Sequence, residues 1–411
     1  MSRERKTQPA TTRRRGAPDV LVAGAGVVGA AIALGLARAG MRVALVEPRP
    51  TPAWDEHAPR DLRVFALAPA SVRMLQRLEV WDRIAAHRAH PYREMRVWDA
   101  GGAGELHFRA QDIGAGTLGH IVEQSAIQTA LWEALERERS VELHSPARVT
   151  ALHPEADSLT LDTDAGDPLT ARVAIAADGA DSALRTLAGL DVAGRAYGQR
   201  GLVAYVETEL QHADTAWQRF LPTGPLALLP CSGGLGSIVW TLPEAEAVAM
   251  LALDDAAFGA ELTRAFGARL GAMRVVSPRA AFPLRLQLVR RYVAGRVVLA
   301  GDAAHVVHPL AGQGVNLGLQ DAAALIDAMA AAHGEGRDPG AALLLRRYER
   351  VRRSENAIAA RAFDGLNRLF SNEALLPTLL RGPALGLVDR LGPLKRMFAR
   401  HAMGETRTPR E

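Results

Sequence analysis

A single cysteine, Cys231, stands among 411 residues, which excludes an intrachain disulfide framework and fits a reducing compartment. Small and apolar, it reads as a packing residue rather than a redox centre. Aromatic residues are scarce, 5% of the chain, and do not alternate with basic ones, so a groove for nucleic acid has no support. Charge is nearly balanced at a net of +4, and part of the basic excess lies in an N-terminal tail from Arg3 to Arg15 that reads as disordered and solvated. Bilayer-spanning apolar runs are missing as well. Residues 20–37 come nearest, but their glycine spacing belongs to a buried parallel strand followed by a packed helix. The tail resembles neither a signal peptide nor a transit sequence, which places the protein in the cytoplasm.

What is present begins with VLVAGAGVVG from Val20 to Gly29, then an alanine-rich helix and RVALVE ending at Glu47. The order is strand, glycine turn, helix, strand. Gly24 serves the tight turn, Gly26 the close approach of a pyrophosphate, and Gly29 the packing of helix on strand. Glu47 ends the second strand, where a carboxylate can bind a ribose hydroxyl. The motif alone does not separate FAD from NAD.

A second segment, VVLAGDAAHVVHPLAGQGVNLG from Val297 to Gly318, does separate them, since an extended flavin dinucleotide must meet the chain twice. Gly301 lets the chain turn so that Asp302 can project at a strand's carboxyl end and accept a hydrogen bond from a ribityl hydroxyl. Gly312, Gln313 and Gly314 leave little bulk, so a planar ring can approach the backbone. Amides at the start of a helix from about Asn316 would face the ring's electron-rich edge. His305 and His308 sit beside Asp302, but no third ligand spacing supports a metal, and none is expected. His305 reads as a loop-stabilising hydrogen-bond partner, with a proton relay as the alternative.

Elsewhere, helical periodicity spans Ser71 to Ala86 and Ser125 to Arg139, the latter with Ser125 as cap. A strand from Val173 ends in Asp178-Gly179, with Asp178 structural or cofactor-proximal, and the helix Ala183 to Leu187 follows. Segments at Gly201 to Glu207, Ala216 to Leu221, Leu226 to Leu229 and Gly236 to Thr241 predict an antiparallel sheet. Trp217, Phe220, Leu228 and Trp240 on it are candidates for an apolar wall over the ring, or for core. The expected fold is α/β: a Rossmann-like FAD-binding domain with an inserted antiparallel-sheet substrate domain and a helical C-terminus. The division is a basic tail at 1–17, cofactor segments at 18–90, 115–190 and 280–340, substrate segments at 91–114 and 191–279, and helices over 341–411.

The motifs GAGVVGAAIALGLARAG, DLRVFALAPASVRMLQRLEVWD, HPYREMRVWD, LGHIVEQSAIQTALWEAL, AADGADSALR and GDAAHVVHPLAGQGVNLGLQDAAALID, spread over nearly the whole chain, resemble a known family. It is that of the aromatic-ring flavin monooxygenases with the p-hydroxybenzoate hydroxylase fold, and within them the ubiquinone-biosynthesis hydroxylases of the UbiH/UbiF/VisC group. The resemblance implies FAD along the first glycine turn with Glu47 on the adenosine ribose. It implies Arg63 and Gln124 near the flavin or ribityl chain, with Gln124 standing where many members have Asn. Val149, Gly301 and Val315 join the implied cofactor contacts, and Asp302 meets the ribityl chain or pyrophosphate. Pro309 would lie close to the site of ring hydroxylation, acting through its carbonyl and shape. Arg60 either offsets flavin charge or is solvated.

The chemistry so implied is oxygen activation by reduced flavin through a C4a-hydroperoxide, attacked by an electron-rich phenol ring. No amino-acid nucleophile is required, and the protein's task is positioning, water exclusion and electrostatics. The implied substrate is a polyprenylated phenol or benzoquinol, with O2 as co-substrate and NAD(P)H as electron donor, directly or through a reductase. HPYREMRVWD and LGHIVEQSAI look more like members acting at the ring's C5 position. A prenylated substrate calls for a ubiquinone-biosynthesis complex or peripheral contact with the inner face of the cytoplasmic membrane, for which the basic segment Leu379 to Met403 is the candidate. Flavin halogenases share the scaffold, but their W-x-W-x-I-P signature is absent. Two other readings stay open, a flavin hydroxylase of another aromatic and a flavin-retaining subunit without activity.

Overall fold

The structure is a computed structural model that describes residues 17–370 apart from residues 52, 56, 102, 103 and 308–313. Short apolar runs without polar alternation assemble as a sheet buried on both faces. Its strands lie in the order Val293–Ala294, Val297–Leu299, Val173–Ala176, Val20–Ala23, Val43–Val46 and Val141–His144, all parallel except the first. Helix α1 (Val27–Arg38) packs on it between later helices, α4 (Gln124–Arg137) and α8 (Gly314–Gly334).

The second sheet is antiparallel for the most part. Its order is His305–Val306, Ala280–Val289, Val192–Thr208, Gly236–Pro243, Gly224–Pro230, Thr215–Leu221, Glu94–Asp99, Glu105–Arg109, with Met273–Val275 beside Val192–Thr208. The four strands expected here all form, and Val192–Thr208 runs longer than expected because Ala280–Val289 pairs along it. That pairing also brings residues 280–289, expected among the cofactor segments, into this sheet. Helices α6 (Glu244–Ala252) and α7 (Asp255–Phe266) cover one face of it. A three-stranded sheet, Val64–Leu67, Gly119–Glu123 and His90–Tyr92, lies against the other face.

Two helix expectations need correction. The periodic run from Ser71 breaks into α2 (Pro69–Arg77) and α3 (Trp81–Ala86), because Glu79 adopts a positive φ of 46° between them. Ser125 does not cap α4; the helix begins at Gln124, and the Asp61 carboxylate takes the Ser125 amide at 3.0 Å. The cap came from a residue distant in sequence. Helix α5 (Ala183–Leu187) forms as expected, capped by Ser182. The last described helix is α9 (Ala342–Phe370). No helix among the described residues is long and apolar enough to cross a membrane. The expectations for the basic tail, for Leu379 to Met403, and for His308, Pro309, Gly312 and Gln313 lie outside the described residues.

Candidate functional site

The carboxyl edge of the parallel sheet gathers most of the singled-out residues, as open α/β sheets do at their ligand crevices. Ala23, Val46 and Ala176 are in register there, and Leu299 pairs with Ala176. Just beyond them come Gly24, Glu47, Asp178 and Gly301.

The three glycines of the first turn divide their work as the spacing suggests. Gly24 has φ +94°, and a Cβ on it would lie 2.5 Å from the Ala177 carbonyl oxygen. A Cβ on Gly29 would lie 1.9 Å from the Gly24 carbonyl, so helix and turn touch there. Gly26 is different: a Cβ on it would meet nothing within 4 Å. Its lack of a side chain serves no contact inside the protein, which fits a cradle for a ligand at the N-terminus of α1. Gly314, at the start of α8, is open in the same way.

Glu47 accepts the Ala25 amide at 2.6 Å and the Arg49 amide at 3.0 Å, which holds its carboxylate at the mouth of the glycine turn. The Ala147 amide donates to the Glu47 carbonyl at 2.9 Å, so the chain just ahead of Val149 runs alongside. Glu47 and Gln124 line one cavity of about 650 Å³ together with Trp54, Arg88, Glu123 and Gln128. Arg63 donates to Gln124 Oε1 at 3.2 Å, bringing together two residues expected near the flavin, 61 positions apart in sequence. Burial raises the pKa of Glu123, against the Asp61 amide and the Arg88 and Arg60 guanidinium groups.

Asp302 is exposed, and its own carboxylate takes part in no hydrogen bond found among the described residues. The protein bulk around it raises its pKa, opposed by His305, Arg63 and Arg285. Its position is set from below. The Gly301 amide donates to Asp321 Oδ2 at 3.0 Å, and the same carboxylate meets His305 Nε2 at 2.6 Å, Arg352 Nε at 2.7 Å and Asn356 Nδ2 at 3.1 Å. His305 is thus held in a buried network by Asp321. Burial pushes the Asp321 carboxyl up, but His305 and Arg352 outweigh it and hold its pKa at about 2.

Four of the singled-out side chains are engaged inside the protein. The Asn316 side chain is spent inside the protein, accepting from the Ala68 amide and the Ser71 hydroxyl and donating to the Ala66 carbonyl, at 2.7 to 2.9 Å. Val315 is packed in the core, so at both positions only the backbone remains for a ligand. Asp178 caps α5 through the Leu184 amide at 3.1 Å and the Ser182 hydroxyl, which settles its structural alternative for the side chain. Arg60 is neither solvated nor free; it reaches the Ser232 carbonyl at 3.0 Å and Glu123 at 3.5 Å.

Of the two roles open to the large apolar residues of this sheet, a wall over the ring or core, the structure shows core packing. Trp217, Leu228 and Trp240 pack with Phe258, Leu262 and Phe266 under α6 and α7, and Phe220 packs on Val97. Their alternating neighbours Tyr205, Ala216, Leu229, Cys231 and Val239 face the three-stranded sheet. A strand's parity decides this, and apolar residues on both faces hide it. Tyr205 reaches the Asp61 carbonyl at 2.9 Å, with Arg60 over its ring. Cys231 is buried, which pushes its thiol up to about 12.

Comparison with known proteins follows the same lines. A family model described as FAD binding domain matches residues 17–362. Ubiquinone hydroxylase UbiL of Rhodospirillum rubrum is 40% identical over 97% of this chain and 92% of its own. The 3-demethoxyubiquinol 3-hydroxylase of Escherichia coli is 37% identical, over 94% of this chain and 98% of its own. In fold, p-nitrophenol 4-monooxygenase PnpA from Pseudomonas putida matches with a TM-score of 0.77 at 21% identity, over 95% of this chain and 99% of its own.

Proposed function

The chain belongs to the FAD-dependent ubiquinone-biosynthesis hydroxylases, and from that premise we propose that it adds one oxygen atom from O2 to the ring of a polyprenylated phenol or benzoquinol. The observation that carries the substrate class is the full-length likeness to two hydroxylases named for ubiquinone or its demethoxy precursor. FAD, when bound, supplies the oxygen activation, and the chain's residues bind, orient and exclude water.

Gly26 and the amides at the start of α1 would take the pyrophosphate, whose charge the helix terminus favours. Glu47, held in place by two backbone amides, has lone pairs left for the adenosine ribose. Asp302 would accept from the ribityl chain, and Arg63 with Gln124 would close over the same region. The open backbone at Gly314 and the N-terminus of α8 would stabilise negative charge at the ring. Pro309, Gly312 and Gln313 complete this contact in our reading. The substrate ring would lie near the sheet face of Tyr205, Leu229 and Val239. Electrons would come from NAD(P)H, directly or through a reductase. We place the enzyme in the cytoplasm, in reach of the membrane or of a ubiquinone-biosynthesis complex.

Quinone lipids from a strain lacking the gene test the substrate by mass spectrometry. An accumulated prenylphenol short of one ring oxygen is expected, its structure naming the carbon, with C5 as our preference; an unchanged ubiquinone pool would defeat the proposal. Asp302→Ala tests the site. Losing a charge-assisted hydrogen bond should weaken FAD binding by about 1.5–3 kcal/mol in a fluorescence titration. Unaltered affinity would remove Asp302 from the contact.

A further inference from the structure

Helix α9 carries an unusual outer surface. Leu343, Arg347, Arg350, Ser354, Ile358 and Arg361 follow one another at steps of three and four, so they form one stripe along the helix, and all six are exposed. The apolar members are far from buried: Leu343 is 84% exposed, Ile358 56%, and the adjoining Val351 46%. A helix packed on a domain turns such residues inward, and α9 already has an inner face in Leu345, Tyr348, Arg352 and Asn356. The outward leucine and isoleucine therefore leave more than half of their surface uncovered by the described fold.

The charge on this surface has one sign. Arg346 and Arg353 flank the stripe, and Arg290 and Arg291 lie beside it, all exposed. No ion pair joins any of these seven arginines to a carboxylate among the described residues. The nearest acids on the helix are spent elsewhere, Glu349 on the Tyr292 amide and Glu355 on Arg352. Arg290, Arg353 and Arg361 converge with Ser354 and Ile358 on a cavity of about 490 Å³, and Arg353 is held there by the Arg290 carbonyl at 2.9 Å. The whole chain has a net charge of only +4, so the concentration here is local.

We propose that the outer face of α9 docks the protein on an anionic lipid bilayer, with headgroup phosphates among the arginines and Leu343, Val351 and Ile358 in the interfacial layer. Interleaved apolar and basic side chains on one helical face suit a surface that offers both acyl chains and negative charge. Charge complementarity alone would also admit a nucleic acid, but that partner gives no reason for exposed aliphatic side chains. In charge, residues 371–411 do not complement the stripe: they hold seven basic and four acidic residues, the same sign as the stripe.

The test is flotation of the full-length, FAD-loaded protein with vesicles of phosphatidylcholine alone or mixed with phosphatidylglycerol, without quinone. Wild type should float with the anionic vesicles, lose binding as salt rises, and ignore the neutral ones. The triple variant Arg347→Glu, Arg350→Glu, Arg361→Glu should bind at least about tenfold more weakly. Leu343→Ser with Ile358→Ser should weaken binding while leaving its salt dependence intact. Retained flavin and an unshifted melting curve show that the variants are folded; should a variant fail to fold, the lipid and salt dependence of the wild type decides. Equal flotation with both lipids, no flotation at all, a triple variant that floats like wild type, or duplex DNA bound as tightly as anionic vesicles would each overturn the proposal. Because no turnover is involved, failure here leaves ring hydroxylation standing, and a failed quinone profile leaves docking standing.

Discussion

Gly26 and Gly29 lie three positions apart in one motif, yet they do opposite things. A side chain at Gly29 would collide with the Gly24 carbonyl, whereas at Gly26 it would enter open space. Gly26 also has φ −64°, which any residue accepts. Gly26→Leu is therefore expected to fold with an unchanged urea midpoint while losing most of its FAD, as read by flavin absorbance per protein. A variant that keeps its flavin would detach Gly26 from the cofactor. The motif's spacing was enough to assign Gly29 to the packing of helix on turn, and the flavin measurement tests the role it gives Gly26. By contrast, Trp217, Leu228 and Trp240 stay open between a wall over the ring and core at the level of sequence, because every strand there is apolar on both sides; in the fold they pack as core. Only the position of α6 and α7 shows which parity is core.

At the scale of elements, strands at Val20, Val43, Val173 and Val297 and the helix Ala183–Leu187 were legible, because buried parallel strands are short apolar runs ended by glycine or acid. Helix starts were less so. The described part of α8 starts at Gly314, close to the expected start near Asn316, but Asn316 clips its first turn to Ala66, Ala68 and Ser71, about 250 positions earlier. Nothing local marks such a residue as structural, since asparagine beside a glycine turn also suits a ligand contact. Asn316→Ala leaves two donors and a carbonyl buried without partners, at about 1–3 kcal/mol for a group left unsatisfied. We expect a melting temperature several degrees lower, by calorimetry, with residual FAD binding at saturating cofactor. An unchanged melting curve would contradict the clip.

Across the whole molecule, Asp321 ties together the turn that bears Asp302, the body of α8 and the inner face of α9. Its pKa is depressed from 3.8 to about 2, so the unfolded chain binds the proton more tightly. The stability it contributes is full above about pH 4 and is lost as pH falls toward 2, on the order of 2 kcal/mol. Urea unfolding at stepped pH checks this: Asp321→Asn, which strands Arg352 in the interior, should cost about 3–5 kcal/mol near neutrality and show a shallower acid slope. Equal slopes in both proteins would place the acid sensitivity elsewhere. By itself the sequence determined the two cofactor motifs, the class of fold and the family, because those rest on glycine spacing and apolar runs that act over a few residues. The tertiary structure alone decided which face of the large sheet packs under α6 and α7, that Asp61 caps α4, that Asn316 is a brace, and that α9 turns arginines and aliphatic side chains outward. Each of these depends on a partner distant in the chain, and no local pattern encodes the direction in which a side chain finds one.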